Sequence, residues 1–211
     1  DTAMGDTNTP ESGRTLSRRH FVVGAGMAGV ELTLTGHVQS SQRERAKEVV
    51  RNMQLGLVTY NVARDWDLAT TLRICKETGL QGVEFRTTHR HGVEPALSAA
   101  ARADIRKQCA DAGIRQISLG TVCESHSPDA AEVRRNIAEC AAFVQLAHDI
   151  GARGVKVRPN GLPKDVPVPK TLEQIGKALV ACGRIGADHG VEIWVEVHGG
   201  GTSEPANMHT I

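Results

Sequence analysis

The stretch Gly190-Val-Glu-Ile-Trp-Val-Glu-Val-His-Gly-Gly-Gly-Thr202 decides the fold of this chain. Its first glycine closes a helical pattern, and the residues that follow alternate in character as those of a β-strand do. Val195 and Val197 fall on one face of this strand, while Glu196 and His198 fall on the other. The stretch therefore predicts the strand of a helix-then-strand unit, with one aliphatic face and one polar face.

The same order of helix, glycine and strand occurs four times in the chain. The glycines are Gly79, Gly113, Gly151 and Gly190. The predicted strands are Leu55–Asn61, Gly82–Thr88, Ile114–Val122, Gly154–Asn160 and Val191–His198, and the predicted helices lie near 67–78, 95–112, 129–150 and 171–189. Strands that alternate with helices in this way predict a parallel sheet.

Two helix starts carry recognisable capping signals. Ser127-Pro128-Asp129 predicts a cap and a first-position proline in front of the third helix. Thr171 followed by Gln174 has the spacing of a capping box and predicts the start of the fourth helix.

The polarity of the strands separates two parallel architectures. A doubly wound sheet is covered by helices on both faces, so its strands are nearly continuous apolar runs. Here Glu84 and Arg86 share one face of a strand, and Val83 and Phe85 share the other. A barrel explains this alternation, because the aliphatic face packs on the outer helices and the polar face points into the barrel. An antiparallel sheet with one solvated face stays open as an alternative.

We therefore predict an α/β fold over residues 51–211, namely a partial (βα)8 TIM barrel with about five βα units and parallel strands. Residues 1–50 are predicted to be a disordered N-terminus, a signal and a linker. Arg18-Arg19 stands before a weakly apolar run, which predicts a twin-arginine export signal and a periplasmic or extracellular location. Gly24 to Gly29 also matches GxGxxG, but the strands of a dinucleotide-binding unit are missing around it.

Composition excludes several other classes of function. The net charge is +1, and the chain has two Trp, one Tyr and three Phe, so neither a basic patch nor a base-stacking surface is expected. We predict no nucleic-acid partner. The five cysteines are scattered without a CxxC pair, which favours buried small hydrophobic residues. No apolar run reaches the length of a membrane span, so no stable insertion is expected after signal processing.

Polar residues gather at the C-terminal ends of the predicted strands, where barrels of this kind carry their chemistry. Carboxylates and imidazoles on one rim suit a divalent metal, while lysine and arginine suit anionic or hydroxyl-rich substrates. Glu196 is the strongest candidate among them. The other candidates are Glu84, Arg86, His89, Glu124, His126, Lys156, Arg158, Asn160 and His198. Each also has a structural explanation, such as pairing with barrel neighbours or a position in a solvated loop.

Two strands resemble a known superfamily. Residues 190–202 resemble the fifth strand of xylose-isomerase-like barrels, where sugar phosphate isomerases and epimerases carry a Gly-Val … Glu-x-His-Gly pattern. Gly82-Val-Glu-Phe-Arg86 is similar to the second strand of that superfamily. The resemblance covers about residues 53–211.

The resemblance implies a sugar isomerase or epimerase that moves a proton next to a carbonyl, aided by a divalent metal (Mn, Mg, Co or Zn). Glu196 would be a catalytic residue and a metal ligand, and Glu84 and Lys156 would also be catalytic. Binding of the small carbohydrate substrate would fall to His198, Arg86, His89, Glu124, His126, Arg158 and Asn160.

Two other functions stay open at this point, a lyase or dehydratase of the same superfamily and a non-catalytic carbohydrate-binding barrel. The resemblance also implies three further metal ligands, on strands six to eight. We therefore expect residues 1–211 to be part of a longer protein, weakly active or inactive by themselves and poorly stable.

Overall fold

The computed structural model describes residues 53–211, so the predicted signal, linker and GxGxxG segment lie outside the described residues. The strands are β1 (Gly56–Val58), β2 (Gly82–Arg86), β3 (Gln116–Glu124), β4 (Gly154–Arg158) and β5 (Glu192–Val195). The helices are α1 (Tyr60–Ala63), α2 (Leu68–Thr78), α3 (Ala99–Asp111), α4 (Ala130–Ile150), α5 (Val168–His189) and α6 (Pro205–Thr210). In this range, no helix is both long and apolar enough to cross a bilayer.

The five strands form one sheet in the order β1-β2-β3-β4-β5, and every neighbouring pair is parallel. Each strand thus pairs with the strand that precedes it in the chain. The α/β fold and the parallel strands predicted from the sequence are confirmed, and the antiparallel alternative is wrong. The helical crossovers between strands are what allow neighbouring strands to run in the same direction.

The predicted helix stops are confirmed at all four glycines. Gly79, Gly113, Gly151 and Gly190 have φ angles of 74°, 79°, 77° and 66°. This left-handed conformation strains any residue with a Cβ atom, so glycine is favoured there. The chain turns at each glycine and enters the next strand within three residues.

Four strands end earlier than predicted. β2 and β4 each stop two residues short of the predicted ends, Thr88 and Asn160, while β1 and β5 each stop three residues short. The strand predicted over Leu55–Asn61 ends at Val58, and its last residues belong to the short helix α1. The strand predicted over Val191–His198 ends at Val195, which leaves Glu196 and His198 in the loop that follows. After β5 the alternating polarity continues past the last paired residue, through Glu196 and His198, so the sequence pattern alone does not mark the end of this strand.

Both predicted helix starts are displaced. Asp129, rather than Ser127, caps α4, because its carboxylate accepts a hydrogen bond from the backbone nitrogen of Ala131 at 2.8 Å. Pro128 therefore lies outside the helix. Helix α5 begins at Val168, three residues before the predicted capping box.

The predicted capping-box residues have other roles. Thr171 is buried inside α5, and the Gln174 amide donates to the backbone oxygens of Ser125 (2.8 Å) and Ser127 (2.9 Å). Gln174 therefore holds the loop that follows β3 instead of capping its own helix.

The hydrophobic core lies between the sheet and the helices. The outward residues Val83, Phe85, Val155 and Val157 are all at most 2% exposed, as the barrel interpretation predicts. All five cysteines are free and buried, which confirms their interpretation as small hydrophobic residues. Burial raises the pKa of the Cys109 thiol to about 12, so this thiol is protonated at neutral pH.

Candidate active site

The inner face of the sheet carries the charged residues that the sequence predicted. Glu84 and Arg86 lie on β2, Lys156 and Arg158 lie on β4, and all four are partly exposed between buried neighbours. Glu124, at the end of β3, is the register partner of Arg158. Parallel strands therefore bring side chains from distant parts of the chain to one rim.

Lys156 bridges two carboxylates. Its Nζ atom lies 2.7 Å from Oε1 of Glu84 and 3.2 Å from Oε2 of Glu196. The Glu84 and Lys156 side chains are 14% and 21% exposed, whereas that of Glu196 is 40% exposed. Lys156 is thus a largely buried cation between an inner carboxylate, that of Glu84, and a more exposed outer one, that of Glu196.

Gly120 makes room for this arrangement. A Cβ atom at Gly120 would lie 2.6 Å from Oε1 of Glu84 and 3.2 Å from Cδ of Arg86, both too close for ordinary contact. The missing side chain on β3 therefore lets Glu84 and Arg86 lie flat across the neighbouring strand.

A second ion pair joins β3 and β4. Both Nε and Nη2 of Arg158 approach Oε1 of Glu124, at 2.7 and 2.6 Å. The backbone nitrogen of Glu124 also donates to the side-chain oxygen of Asn136 at 2.9 Å. His126 stands apart, because its Nδ1 atom is 3.9 Å from the Glu124 carboxylate, which is too long for a hydrogen bond.

Arg86 is held in a different way. Its Nη1 atom donates to the backbone oxygen of Gly120 at 3.2 Å, and its guanidinium carbon lies 6.0 Å from the ring centre of Tyr60. That distance is at the outer limit of a cation–π contact. Among residues 53–211, Arg86 forms no ion pair with a carboxylate.

The buried Thr59 hydroxyl lies between the rings of His89 and His91, next to Arg86. The backbone nitrogen of Val93 donates to Nδ1 of His91 (3.0 Å), so the neutral ring carries its proton on Nε2, which lies 3.0 Å from the Arg86 backbone oxygen. Thr59 Oγ1 accepts from the Arg86 backbone nitrogen (2.9 Å) and lies 3.2 Å from Nδ1 of His89. Burial lowers the pKa of His91 to about 4.

His89 is more exposed than His91 and lies at the end of this chain of hydrogen bonds. Burial, and then the charges of Arg86 and Arg64, lower its pKa. The ring is therefore neutral near pH 7, and the Thr59 hydroxyl can donate to its Nδ1 atom.

The loop after β4 packs closely against the loop after β5. Thr202 is fully buried, and its hydroxyl donates to the backbone oxygen of Asn160 at 2.5 Å. A Cβ atom at Gly199 would lie 2.2 Å from the Asn160 carbonyl carbon, so only glycine allows this approach. The side-chain oxygen of Asn160 accepts from the nitrogen of Gly161 at 2.8 Å, which gives this predicted substrate-binding residue a structural role in its own loop.

The rim encloses a pocket of about 280 Å³. Its lining consists of Val58, Tyr60, Arg86, Lys156, Arg158, Glu196 and His198. Five of the predicted site residues therefore share one pocket wall, and Glu84 reaches that wall through Lys156. The predicted residues outside the lining are Glu84, His89, Glu124, His126 and Asn160. A separate groove of about 380 Å³ lies between α4 and α5, away from the polar rim.

Sequence reasoning did not assign the roles of Thr59, His91 and Gly120. Thr59 and His91 act through a buried network, and Gly120 acts by lacking a side chain. A glycine in the middle of a strand is the one local signal that could have been followed, because such a residue often marks a close approach.

The described residues do not fit a metal centre on their own. Within 53–211, no three His, Cys, Asp or Glu side chains come together in a way that could hold a metal ion. Glu196 is a single carboxylate, and its near oxygen is already paired with Lys156.

A family model described as a xylose isomerase-like TIM barrel matches residues 72–211. The chain belongs to this family. Membership in the xylose isomerase-like TIM barrel family confirms the resemblance seen in β2 and in residues 190–202. It also confirms that the five-stranded sheet is part of a TIM barrel.

Solved structures agree on the fold of this xylose isomerase-like barrel. An IolI protein with a bound zinc atom superposes with a TM-score of 0.58 at 16% identity, and covers 68% of this chain and 51% of its own. D-psicose 3-epimerase from Clostridium cellulolyticum H10, with D-tagatose, gives 0.57 at 13% identity, with coverages of 67% and 51%. L-ribulose 3-epimerase gives 0.54 at 20% identity, with coverages of 67% and 48%. No curated protein sequence matches the chain significantly.

The chain spans about half the length of these matched structures. At such identities the likeness shows the fold and not the reaction.

Proposed function

We propose that this protein is a sugar isomerase or epimerase that moves a proton next to a carbonyl group. One observation supports this above the others, the Lys156 ammonium held between the carboxylates of Glu84 and Glu196 in the wall of a pocket. A carboxylate beside a fixed ammonium is the pair that removes a proton from carbon and stabilises the oxygen that becomes negative.

The three residues would have different tasks. Glu196 is the more exposed carboxylate and lines the pocket, so it takes the proton from the carbon next to the carbonyl. Lys156 donates a hydrogen bond to the substrate oxygen as negative charge develops there. Glu84 does not line the pocket, and it holds the Lys156 ammonium in place from behind.

The outcome depends on where the proton returns. Protonation of the same carbon from the opposite face, by an acid other than Glu196, gives an epimer, while transfer of the proton to the neighbouring carbon gives an aldose–ketose isomer. Arg158 and His198 line the same pocket and would bind substrate hydroxyl groups.

Exchange with solvent deuterium tests the proposal directly. The natural-length protein is incubated in D₂O with D-fructose, D-tagatose and ketopentoses, and the sugars are followed by NMR. We expect deuterium on the carbon next to the carbonyl, together with an epimer or isomer, and a loss of at least about 100-fold in Glu196→Gln. Glu173→Gln is the matched control, because Glu173 is an exposed carboxylate that pairs with Lys177 on α5.

The same experiment separates the alternative functions. A dehydrated, deoxy product would identify a lyase or dehydratase instead. Binding without any exchange would identify a carbohydrate-binding barrel. Either result, or neither binding nor exchange, would contradict the isomerase proposal.

A divalent metal stays a prediction, with Glu196 as one ligand. Support comes from the resemblance and from the zinc atom in the IolI structure. Since the described residues hold no cluster of three ligands, the other ligands would have to lie outside 53–211. Mn²⁺ titration of the natural-length protein tests this, and Glu196→Gln should lower the affinity by about 10-fold or more.

Export is a further proposal, based on Arg18-Arg19 and the apolar run behind it. Residues 1–52 fused to a reporter that folds in the cytoplasm should carry it to the periplasm. Arg18→Lys together with Arg19→Lys should stop this transport. Transport that survives the double change would contradict a twin-arginine signal.

A further inference from the structure

Within residues 53–211, the charged side chains around the pocket form ion pairs with each other, except for that of Arg86. Lys156 is shared by Glu84 and Glu196, and Arg158 pairs with Glu124. Arg86 lines the same pocket and forms no ion pair with any carboxylate of the described residues. Arg86 is therefore the cation at this rim whose charge the other side chains of residues 53–211 leave uncompensated.

Its guanidinium is nevertheless well fixed. Nη1 donates to the Gly120 backbone oxygen, the stem lies against Gly120, and the Tyr60 ring lies 6.0 Å from the guanidinium carbon. A guanidinium has five N–H donors, and this bond uses one of them. The others form no hydrogen bond within residues 53–211. A guanidinium held in place with several unused N–H groups has the geometry that binds phosphate or carboxylate oxygens.

A partly buried cation without a partner is unfavourable, and an anionic ligand would remove that cost. Arg86 stands two residues beyond Glu84 on the same face of β2. Two residues of a strand span roughly 6–7 Å, about the length of a short carbon chain. An anionic group at Arg86 would thus leave the carbonyl end of a sugar beside Lys156 and Glu196.

We propose that Arg86 binds an oxyanion carried by the substrate, so that the pocket prefers a sugar phosphate or a keto-sugar acid over a neutral ketose. This inference rests on the proposed isomerase function and specifies its substrate class. It differs from the ligand of the matched D-psicose 3-epimerase, D-tagatose, which is a neutral sugar.

Binding of matched ligands tests the inference. Calorimetry on the natural-length protein compares D-fructose, D-fructose 6-phosphate and a hexulosonate, with inorganic phosphate as a separate probe. We expect an anionic ligand to bind at least about 10-fold more tightly than D-fructose. The phosphate and the carboxylate ligands show which oxyanion is preferred.

Variants assign the preference to Arg86. Arg86→Gln should lower the ratio of anionic to neutral affinity by about 10-fold or more, and Arg86→Lys should restore part of it, since the charge remains but the guanidinium is lost. Arg73→Gln is the matched control, because Arg73 is an exposed arginine of α2 paired with Glu77. Near-ultraviolet circular dichroism checks that the variants are folded.

The results separate this inference from the proposed function. Deuterium exchange on neutral ketoses, with equal affinity for neutral and anionic ligands, would overturn the role of Arg86 and leave the isomerase intact. A preference for anions that survives Arg86→Gln would also overturn it. An anion preference lost in Arg86→Gln, without any exchange, would support Arg86 and contradict the isomerase.

Discussion

The ammonium group of Lys156 lies 2.7 Å from a carboxylate oxygen of Glu84, and both side chains are largely buried. The two residues sit on β2 and β4, with β3 between them, so their side chains meet over an intervening strand. That meeting requires the empty space above Gly120, because a Cβ atom there would lie 2.6 Å from Oε1 of Glu84, the oxygen that approaches Lys156.

Removal of the cation should destabilise the fold. Lys156→Met leaves the Glu84 carboxylate on the inner face without its cation, and we expect a loss of about 1–3 kcal/mol in the free energy of unfolding. Adding Glu84→Gln to Lys156→Met should recover part of the loss, because the uncompensated charge is gone. Urea unfolding of the four variants of this double-mutant cycle measures the coupling.

An exposed pair provides the control for that cycle. Lys177 and Glu173 on α5 are 75% and 65% exposed, and we expect Lys177→Met to change stability by less than about 0.5 kcal/mol. Similar effects at both lysines would show that the Lys156 pair has no special importance.

Gly120→Ala should disturb both charged residues of β2. The new Cβ atom would collide with the Glu84 carboxylate and press on the Arg86 stem, so we expect a destabilisation of about 1–3 kcal/mol. Gly183→Ala is the matched change, because a Cβ atom at this α5 position meets nothing within 4 Å. It should stabilise the helix by about 0.5–1 kcal/mol. Thermal unfolding that shows the same sign for both would refute the packing argument.

His91 should make stability depend on pH. Burial lowers its pKa from 6.5 to about 4, so the folded state resists protonation more than the unfolded state does. Its contribution is fully present above pH 6.5 and falls as the pH drops from 6.5 towards 4, by up to about 3 kcal/mol. Denaturant unfolding between pH 4 and 8 should show this slope, and His91→Gln should remove it. An unchanged slope in the variant would assign the pH dependence to other groups.

Arg102 connects α3 to α4. It contacts the Asp149 carboxylate at 2.7 Å and donates to the backbone oxygens of Leu97 and Pro95. Arg102→Met leaves those acceptors without a partner, and we expect a loss of about 1–3 kcal/mol at pH 7. Because the hydrogen bond from Arg102 lowers the pKa of Asp149, the ion-pair part of this loss should be fully present above the ordinary Asp pKa of about 4 and should shrink as the pH falls below it. Chemical unfolding at pH 7 and pH 3 checks both statements, and a loss that grows at pH 3 would contradict them.

The sequence predicted the fold well because the decisive signals are local. Gly79, Gly113, Gly151 and Gly190 each stop a helix through their own backbone conformation, and strand polarity is visible residue by residue. The ends of strands were harder to predict. The backbone nitrogen of Glu196 still bonds to the oxygen of Val157 at 2.8 Å, beyond the last residue of β5, and such pairing depends on the neighbouring strand.

The sequence predicted which residues gather at the candidate site, but it did not predict the contacts between them. Arg86, Lys156 and Glu196 were expected on one rim, and they do line one pocket. That Lys156 is shared between two carboxylates follows from the register of three strands. The Thr59 hydroxyl takes its importance from contacts with groups about thirty positions away, which a local pattern cannot encode.

The order of the strands has a consequence for how the molecule is made. A ribosome releases the chain from its N-terminal end, and here each new strand finds its partner already emerged, since β2 pairs with β1, β3 with β2, and so on to β5. Among the five strands of residues 53–211, none has to wait for a later strand before it can join the sheet. Assembly of this sheet can therefore advance in step with translation, one βα unit at a time, from a growing edge that serves as the template for the next strand.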